Sequence, residues 1–309
     1  MAVTAATTLS GFSGFLNREQ AGPIFERAAQ MSVVQQLARQ IPLGGNGVSV
    51  PVVTGRLTAG WVAEGAAKPA SAGTMTLKTM DPKKLAVIAV VSAEVVRGNP
   101  GDYMNVIRDQ VAEAFAIGFD KAALYDQGPD GTAGAGPFST NIASTTKNVE
   151  IGTTAQADGG IYGDLIAGLS LLVADDKRLT GFALDSEVEP MLLGAVDSTG
   201  RPIFVDLPTD DVSGAVARPG RLLGRPSFMG DGVASDTAAN VLAFAGDWTQ
   251  VAWGSVGGIS YDVSTEATVT INGAYVSLWE NNLMAVRAEA EYGFLVNDTA
   301  AFVKFANAT

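Results

Sequence analysis

The 309 residues include no cysteine and no histidine. Without cysteine there are no disulfides, thiolate nucleophiles or cysteine-based zinc and haem sites. Without histidine there is no Ser-His-Asp or Cys-His catalysis and no imidazole metal ligand, because no other side chain titrates near neutral pH unless its pKa is perturbed. An enzyme would have to use carboxylate, lysine or tyrosine chemistry. We therefore expect no catalytic site, no metal and no cofactor.

Charge and long apolar runs are also scarce. Charged residues make up 17% of the chain and apolar residues 47%, in a length that can bury a sizeable core. A charge-poor surface is typical of a subunit that is covered by partners. The longest apolar runs, such as residues 85–91, are too short to cross a bilayer, and the first residues lack the basic flank and apolar core of a secretory signal. We expect no membrane association.

The acidic charge lies in the second half of the chain. Residues 1–154 carry 12 basic and 12 acidic side chains, whereas residues 155–309 carry 8 and 20, which accounts for the whole net charge of −12. Binding to nucleic-acid phosphates requires clustered Lys and Arg, so we expect no specific binding, although the protein could still enclose nucleic acid. Residues 54–85 are locally basic, with five Lys or Arg against two acids, hence 5 − 2 = +3.

The first half of the sequence predicts an arm, two strands and a long helix. Residues 1–16 are small and nearly uncharged, as in an extended arm. Ser32 and Gln35 form a capping box before a helical apolar pattern. Alternating valines at 48–52 and strand character at 74–79 and 85–91 flank a long Gly/Ala/Thr stretch, which indicates a two-stranded arm.

The second half predicts a mixed α/β region after a long helix over 103–127 and a loop over 128–160. Its further elements are a helix from 161, a buried strand GFALD, a helix capped by Ser186 and Glu189, short strands at 221–229, 241–253 and 257–263, and a long strand at 284–292 with residues 301–305 as its companion. The Gly-rich stretch 128–137 follows a helix and lacks a phosphate-loop spacing, so we interpret it as a plain loop.

Several polar and aromatic groups have a structural and a functional interpretation. The acids could be metal ligands or a glycosidase pair, and we interpret them as solvated surface; they are Asp175, Asp176, Asp210, Asp211, Asp185, Glu187 and Glu189. We interpret the four tryptophans, Trp61, Trp248, Trp253 and Trp279, as packing anchors.

Several segments follow one another in a characteristic order. They are WVAEG (61–65) in a hairpin arm, KKLA (83–86) and SAE (92–94) in the returning strand, FDKAALYDQG (119–128) at the end of the long helix, and the later blocks DSTGRPIF (197–204), LLGRPSF (222–228), AGDWTQVAWGSVGGISYDVS (245–264) and MAVRAEAEYGFLVNDTAAFVKF (284–305). This ordered set resembles the phage major capsid family with the Hong Kong 97 fold. The match extends over most of residues 20–309.

This resemblance implies an α+β subunit of four parts. They are an N-terminal arm and helix (1–40), an E-loop hairpin with flanking strands (41–96), a peripheral domain with the spine helix and long strand (97–154 and 276–309), and a mixed axial domain (155–275). The E-loop side chains expected to contact a neighbouring subunit are Arg56, Trp61, Glu64, Lys68, Lys78, Lys83 and Lys84.

The function implied is that of a major capsid protein, which self-assembles into the icosahedral shell around the genome of a tailed bacteriophage. Expected partners are further copies in hexamers and pentamers, a portal, decoration proteins and, because the sequence begins directly at the arm, a separate scaffolding protein. The shell would enclose double-stranded DNA, be assembled in the cytoplasm of the bacterial host and end in the virion capsid. The alternatives are an encapsulin-like nanocompartment and, more remotely, a carboxylate-based hydrolase.

Some relatives join an E-loop lysine covalently to a neighbour's asparagine. Here Lys68 and Lys78 are the conceivable donors, and Asn281, Asn282 and Asn297 the conceivable acceptors. Such a reaction requires a desolvated lysine beside a specific amide, which nothing in the sequence indicates. We therefore expect no cross-link.

Overall fold

The computed structural model describes residues 32–55, 57–92, 102–155, 159–195, 218–234, 240–271 and 273–307, with backbone alone at 102–109 and 218–219. The predicted arm at 1–16, Asp210, Asp211 and Arg56 lie outside these ranges. The helices are α1 (Val33–Leu37), α2 (Asp102–Tyr125), α3 (Gly160–Ala174) and α4 (Val188–Leu193), with short 3₁₀ turns at Ile142–Ser144, Trp248–Gln250 and Thr299–Ala301. The strands are β1 (Arg39–Gln40), β2 (Val48–Gly55), β3 (Thr74–Met80), β4 (Lys83–Ser92), β5 (Asn148–Ile151), β6 (Gly181–Leu184), β7 (Arg218–Leu222), β8 (Arg225–Met229), β9 (Val241–Gly246), β10 (Val251–Ser255), β11 (Ser260–Ser264), β12 (Thr268–Ile271), β13 (Ala274–Ser277), β14 (Leu283–Val296) and β15 (Phe302–Asn307).

A five-stranded sheet built around β14 forms the centre of one layer; we call it the body sheet. Strand β4 pairs along one edge of β14, β10 and β11 share the other edge, and β1 extends the sheet beyond β10. The predicted alternation along β14 is confirmed, because Val286, Ala288 and Tyr292 are buried whereas Arg287 is exposed. One face of the sheet therefore packs inward and the other carries charge.

The long helix α2 packs on the inward face of the body sheet, and its prediction is confirmed. Phe119 lies at the centre of this contact, with ring centroids 5.2 Å from Tyr292, 6.1 Å from Phe294 and 6.2 Å from Trp253. Tilted and edge-on ring pairs of this kind stabilise a core beyond the area they bury. The body sheet and α2 thus form one rigid layer pair.

A six-stranded sheet of order β5-β15-β9-β6-β8-β7 forms the second core, with α3 packed on β5 and β15. All four residues of β6 and all six of β9 are buried, as the apolar sequence GFALD predicted for β6. Strands buried on both faces carry continuous apolar runs.

The last strand does not accompany β14, and that prediction is wrong. Asp298 caps the turn Thr299–Ala301, which redirects the chain, so β15 pairs with β9 and β5 of the six-stranded sheet. Thr145 Oγ1 donates a 2.7 Å hydrogen bond to the carbonyl of Phe302 and holds the strand there. Each of the two sheets contains strands from inside and from outside the predicted axial domain, residues 155–275. The division of the subunit into four parts stays a prediction.

Two of the predicted helix starts have different outcomes. At α1, Ser32 is the N-cap and its Oγ accepts from the backbone N–H of Gln35, as predicted. At α4, the Ser186 prediction is wrong: Glu187 occupies the N-cap, and Ser186 Oγ donates to Asp231 at 2.6 Å instead.

Two hairpins complete the described structure. Strands β2 and β3 pair antiparallel from Val48↔Met80 to Gly55↔Thr74 and form a separate two-stranded sheet, which confirms the predicted strand pairing. We call residues 48–80 the arm hairpin, and its loop 57–73 the tip. Strands β12 and β13 form a second, shorter hairpin.

Candidate intersubunit surface

We call Leu43, just before the arm hairpin, and Met80, at its end, the root of the hairpin. This root is fixed to the body sheet. Leu43 and Met80 lie over two glycines, Gly254 and Gly293, where an added Cβ would stand 2.9 Å from Leu43 Cβ and 2.8 Å from Met80 Cγ respectively. Both apolar side chains are buried and cluster with Leu295. Only glycine allows so close an approach of the root, so the hairpin has a defined origin on the body.

Lys78 strengthens this attachment. Its Nζ donates hydrogen bonds to the backbone carbonyls of Val296, at 3.3 Å, and Asn297, at 2.5 Å. The amine that was expected to contact a neighbour, or to serve as a cross-link donor, is therefore engaged within its own subunit. Asn297 is engaged as well, because its amide donates to Gln250 Oε1 at 2.7 Å.

Beyond the root the arm hairpin presents large apolar side chains to solvent. The exposed fractions are 62% for Val53, 71% for Leu57, 106% for Trp61, 64% for Met75 and 71% for Leu77. A folded monomer seldom leaves so many large apolar groups exposed on one small element, and such a surface marks an interaction site. The hairpin is thus the main candidate surface for subunit contacts.

The tryptophans divide into two classes that the sequence did not distinguish. Trp248 and Trp253 are buried, as predicted for packing anchors, and Trp248 Nε1 donates to the carbonyl of Gly181 at 3.0 Å. Trp61 and Trp279 are exposed, so the packing prediction is wrong for them within one subunit. Trp61 lies on the tip and Trp279 follows the β12–β13 hairpin.

The charged residues predicted for the surface occupy two separate places. Glu64 and Lys68 lie exposed on the tip. Lys83 and Lys84 lie in β4, opposite Tyr292 and Glu291 of β14, so they belong to the body sheet and not to the projecting arm. Lys84 Nζ is 3.2 Å from Glu289 Oε2 of the same subunit. Over residues 48–80 the sequence has three basic groups and one acid, so the net charge of the arm hairpin is 3 − 1 = +2.

A charge ladder crosses the outward face of the body sheet. Arg287 lies 2.8 Å from Asp262 of β11 and 3.3 Å from Glu289, which also contacts Lys84 of β4. These groups are exposed or half-buried, and exposed pairs contribute only about 0–1 kcal/mol each. The two basic and two acidic groups of the ladder balance one another within the subunit.

A groove of about 1570 Å³ separates the arm hairpin from the body. One wall is the β2 segment 50–54, and the other includes residues 175–178 and Asp298. Two ion pairs within the subunit lie in and beside the groove, Lys177 with Asp298 and Lys147 with Asp175 at 2.7 Å. The hairpin therefore stands off the body along part of its length.

In the acidic cluster near α4, the prediction of solvated surface is confirmed for Glu187, which is exposed, and wrong for Asp185. Asp185 is buried and accepts hydrogen bonds from the backbone N–H groups of Glu187, at 2.9 Å, and Ala234, at 3.0 Å. Burial raises the pKa of the Asp185 carboxyl, and the negative charges of Glu187 and Asp231 act in the same direction, against those two hydrogen bonds. Its role is to fix two loops. Within the described ranges no three acidic side chains gather as a metal site would require.

None of the helices in the described ranges is long and apolar enough to cross a membrane.

Comparisons with known proteins agree with this geometry. The phage capsid family matches residues 14–307. The probable major capsid protein of Mycobacterium phage L5 is 44% identical over 98% of this chain and 92% of that protein, and its counterpart in Mycobacterium phage D29 is 42% identical over 96% and 91%. A solved structure from Mycobacterium phage Ogopogo has a TM-score of 0.71 at 21% identity, covering 90% of this chain and 92% of that one.

These findings give no support to the nanocompartment or hydrolase alternatives. The relatives are structural proteins, and their similarity spans both sheets, α2 and the arm hairpin. The likeness to the Ogopogo structure shows the Hong Kong 97-type capsid fold. The chain belongs to the phage capsid family.

Proposed function

We propose that the chain is the major capsid protein of a tailed phage, and that the arm hairpin of each copy lies on a neighbouring copy in a closed shell. The observation that carries this proposal is the contrast along the hairpin: a root buried on the body and a distal part with exposed large apolar groups, Trp61 fully so. A rigid root determines direction, and an exposed apolar surface supplies the free energy of contact.

The magnitudes favour assembly through this element. Full burial of one large apolar side chain contributes about 1.5–3 kcal/mol, and five such side chains on the hairpin are each at least 62% exposed. Tryptophan is enriched among the residues that dominate interface energies. Because each copy both gives and receives one hairpin, the same contact repeats around rings and closes a shell.

Electrostatics supports the choice of neighbour. The arm hairpin carries +2 and the chain as a whole −12, so the remainder carries −14. A basic arm is attracted to the acidic body of another copy, which guides association and register more than it adds affinity. The same acidic body suits enclosing double-stranded DNA without specific binding.

The further partners follow from this role. Rings of five and six copies would form the shell, with the six-stranded sheet towards the ring axes and the body sheet with α2 towards the periphery. A separate scaffolding protein, a portal and decoration proteins would complete the particle, assembled in the cytoplasm of the bacterial host and retained as the virion capsid.

Electron microscopy and light scattering of the purified full-length protein test the proposal. Closed or tubular particles built of rings are expected as concentration rises. A protein that stays monomeric at every concentration, with its fold intact by circular dichroism, would overturn the proposed assembly.

A further inference from the structure

Asp120 joins the long helix α2 to the start of α1 through a buried carboxylate. The residue is 2% exposed. Its Oδ1 accepts from Ser32 Oγ at 2.6 Å and from the backbone N–H of Val34 at 3.1 Å, and its Oδ2 accepts from the backbone N–H of Val33 at 2.9 Å. Three donors from consecutive residues thus converge on one side chain that is distant in sequence.

The Asp120 carboxylate supplies part of the N-terminal capping of α1 that the sequence predicted from Ser32 and Gln35. The first N–H groups of a helix have no partner within the helix. In a capping box, Gln35 would reach back to the N–H of Ser32, but the buried Gln35 Oε1 has no hydrogen-bond partner. Asp120 instead binds the N–H groups of Val33 and Val34, so the start of α1 depends on α2.

We propose that Asp120 is a latch, a positioning residue that docks residues 32–37 on α2 and so fixes the point where the preceding 31 residues join the body. Opening the latch would leave α1 held by the burial of Val33 and Val34 alone, so the helix would open more often while both sheets stay folded, because β1 is anchored separately by its pairing with β10.

The docking also depends on protonation. Burial raises the pKa of the Asp120 carboxyl to about 6, against the lowering effect of the bonds from Ser32, Val33 and Val34. In the open state the carboxyl would return to the ordinary value near 3.8. A group whose pKa is raised by docking stabilises the docked state below the ordinary value, and that stabilisation is lost as pH rises through 6. Docking should therefore weaken as the pH rises from 5 to 8.

Titratable residues lie on several of the elements packed against α1 and α2. On α2 itself the next residue is Lys121, and Gly232, whose added Cβ would lie 3.0 Å from Asp120 Cβ, is preceded by Asp231. Among residues with described side chains, the remaining titratable ones of these packed elements are Glu113 and Tyr125 on α2, Arg225 on β8, Lys83 and Lys84 on β4, and Arg287, Glu289, Glu291 and Tyr292 on β14. The pKa of Asp120 is set by burial and by its three hydrogen bonds.

Hydrogen–deuterium exchange on the full-length protein tests the latch. Two peptides are compared: one over residues 32–38, which reports α1, and one over residues 241–246, which reports β9. The variants are Asp120→Ala, which removes all three bonds, and Ser32→Ala, which removes one of the three together with the N-cap bond from the N–H of Gln35 and is the milder change if the first fails to fold. The matched control is Asp164→Asn, because Asp164 is also buried and accepts from the N–H of Gly152 and the hydroxyl of Thr154.

The expected result is at least a tenfold loss of protection at 32–38 in Asp120→Ala, a smaller loss in Ser32→Ala, and unchanged protection at 241–246. The control should leave 32–38 as in the wild type. After correction for intrinsic exchange, protection of 32–38 in the wild type should fall from pH 5 to pH 8, and this fall should be absent in Asp120→Asn. Equal loss in both peptides, or an unchanged 32–38 peptide in Asp120→Ala, would overturn the latch. Neither result depends on whether the protein forms shells.

Discussion

Gly254 and Gly293 face each other across β10 and β14, and the space left by their missing side chains is filled by the root of the arm hairpin. Leu43 and Met80 occupy this space, and Lys78 bonds to carbonyls at the end of β14. The strand at the centre of the body sheet therefore also sets the direction of the element that reaches outward. Fold and assembly are connected at this pair of glycines.

Gly293→Ala should disturb that connection. The added Cβ would stand 2.7 Å from Leu43 Cδ2 and 2.8 Å from Met80 Cγ, so both side chains must shift. Overpacking of this kind costs about 1–3 kcal/mol, and urea unfolding should show a loss of that size. Gly258→Ala is the control, because a Cβ there has no atom within 4 Å. Equal stability of the two variants would show that the root is not tightly packed.

Two tryptophans should behave oppositely on substitution. Trp248→Ala removes a 2% exposed side chain and its hydrogen bond to Gly181, which should lower the free energy of unfolding by about 3–5 kcal/mol. Trp61→Ala should leave that free energy unchanged within about 0.5 kcal/mol and reduce the yield of assembled particles. Thermal unfolding of subunits and sedimentation of assembly mixtures measure the two effects. A large loss of subunit stability in Trp61→Ala would contradict its exposed position.

Reversing the charge of a lysine should affect assembly when the lysine lies at the tip and subunit stability when it lies in the body sheet. Lys68→Glu changes an exposed tip residue, and we expect a folded subunit whose assembly slows and loses its sensitivity to added salt. Lys84→Glu breaks a pair with Glu289 and sets a like charge opposite Glu291; the cost is about 0–1 kcal/mol of subunit stability. Assembly rates at low and high salt decide between them. If Lys68→Glu assembles at the same rates as the wild type, the charge at the tip serves solubility alone.

Local patterns predicted most elements but not how they combine. The alternation along β14, the continuous apolar run of β6 and the periodicity of α2 each reflect the face that a residue buries, so the sequence carries that information directly. The destination of β15 depends on the turn capped by Asp298, and no periodicity encodes which sheet a strand joins. Which sheet a strand joins depends on contacts between residues distant in sequence. This explains why β15 was wrongly predicted to accompany β14.

The candidate surface was predictable in place but not in detail. The long Gly/Ala/Thr excursion indicated a projecting arm, and Trp61 lies on it. Residue type alone could not separate Lys78 and Lys84, whose amines bind within the subunit, from Lys68 at the tip. Asp120 was missed as well, because its partners lie 86 to 88 residues away. The sequence signal that contained this residue was the segment FDKAALYDQG, in which Asp120 is the first aspartate, and no role was assigned to it.

The central claim, burial of the arm hairpin by neighbouring copies, is tested most directly by the reactivity of a single thiol. The chain has no cysteine, so Val53→Cys, a nearly isosteric change at a 62% exposed position, introduces a unique site. Maleimide labelling rates are measured for dissociated subunits and for assembled particles of the same variant. The account predicts fast labelling of subunits and labelling slowed at least tenfold in particles. Equal rates in the two states would contradict it.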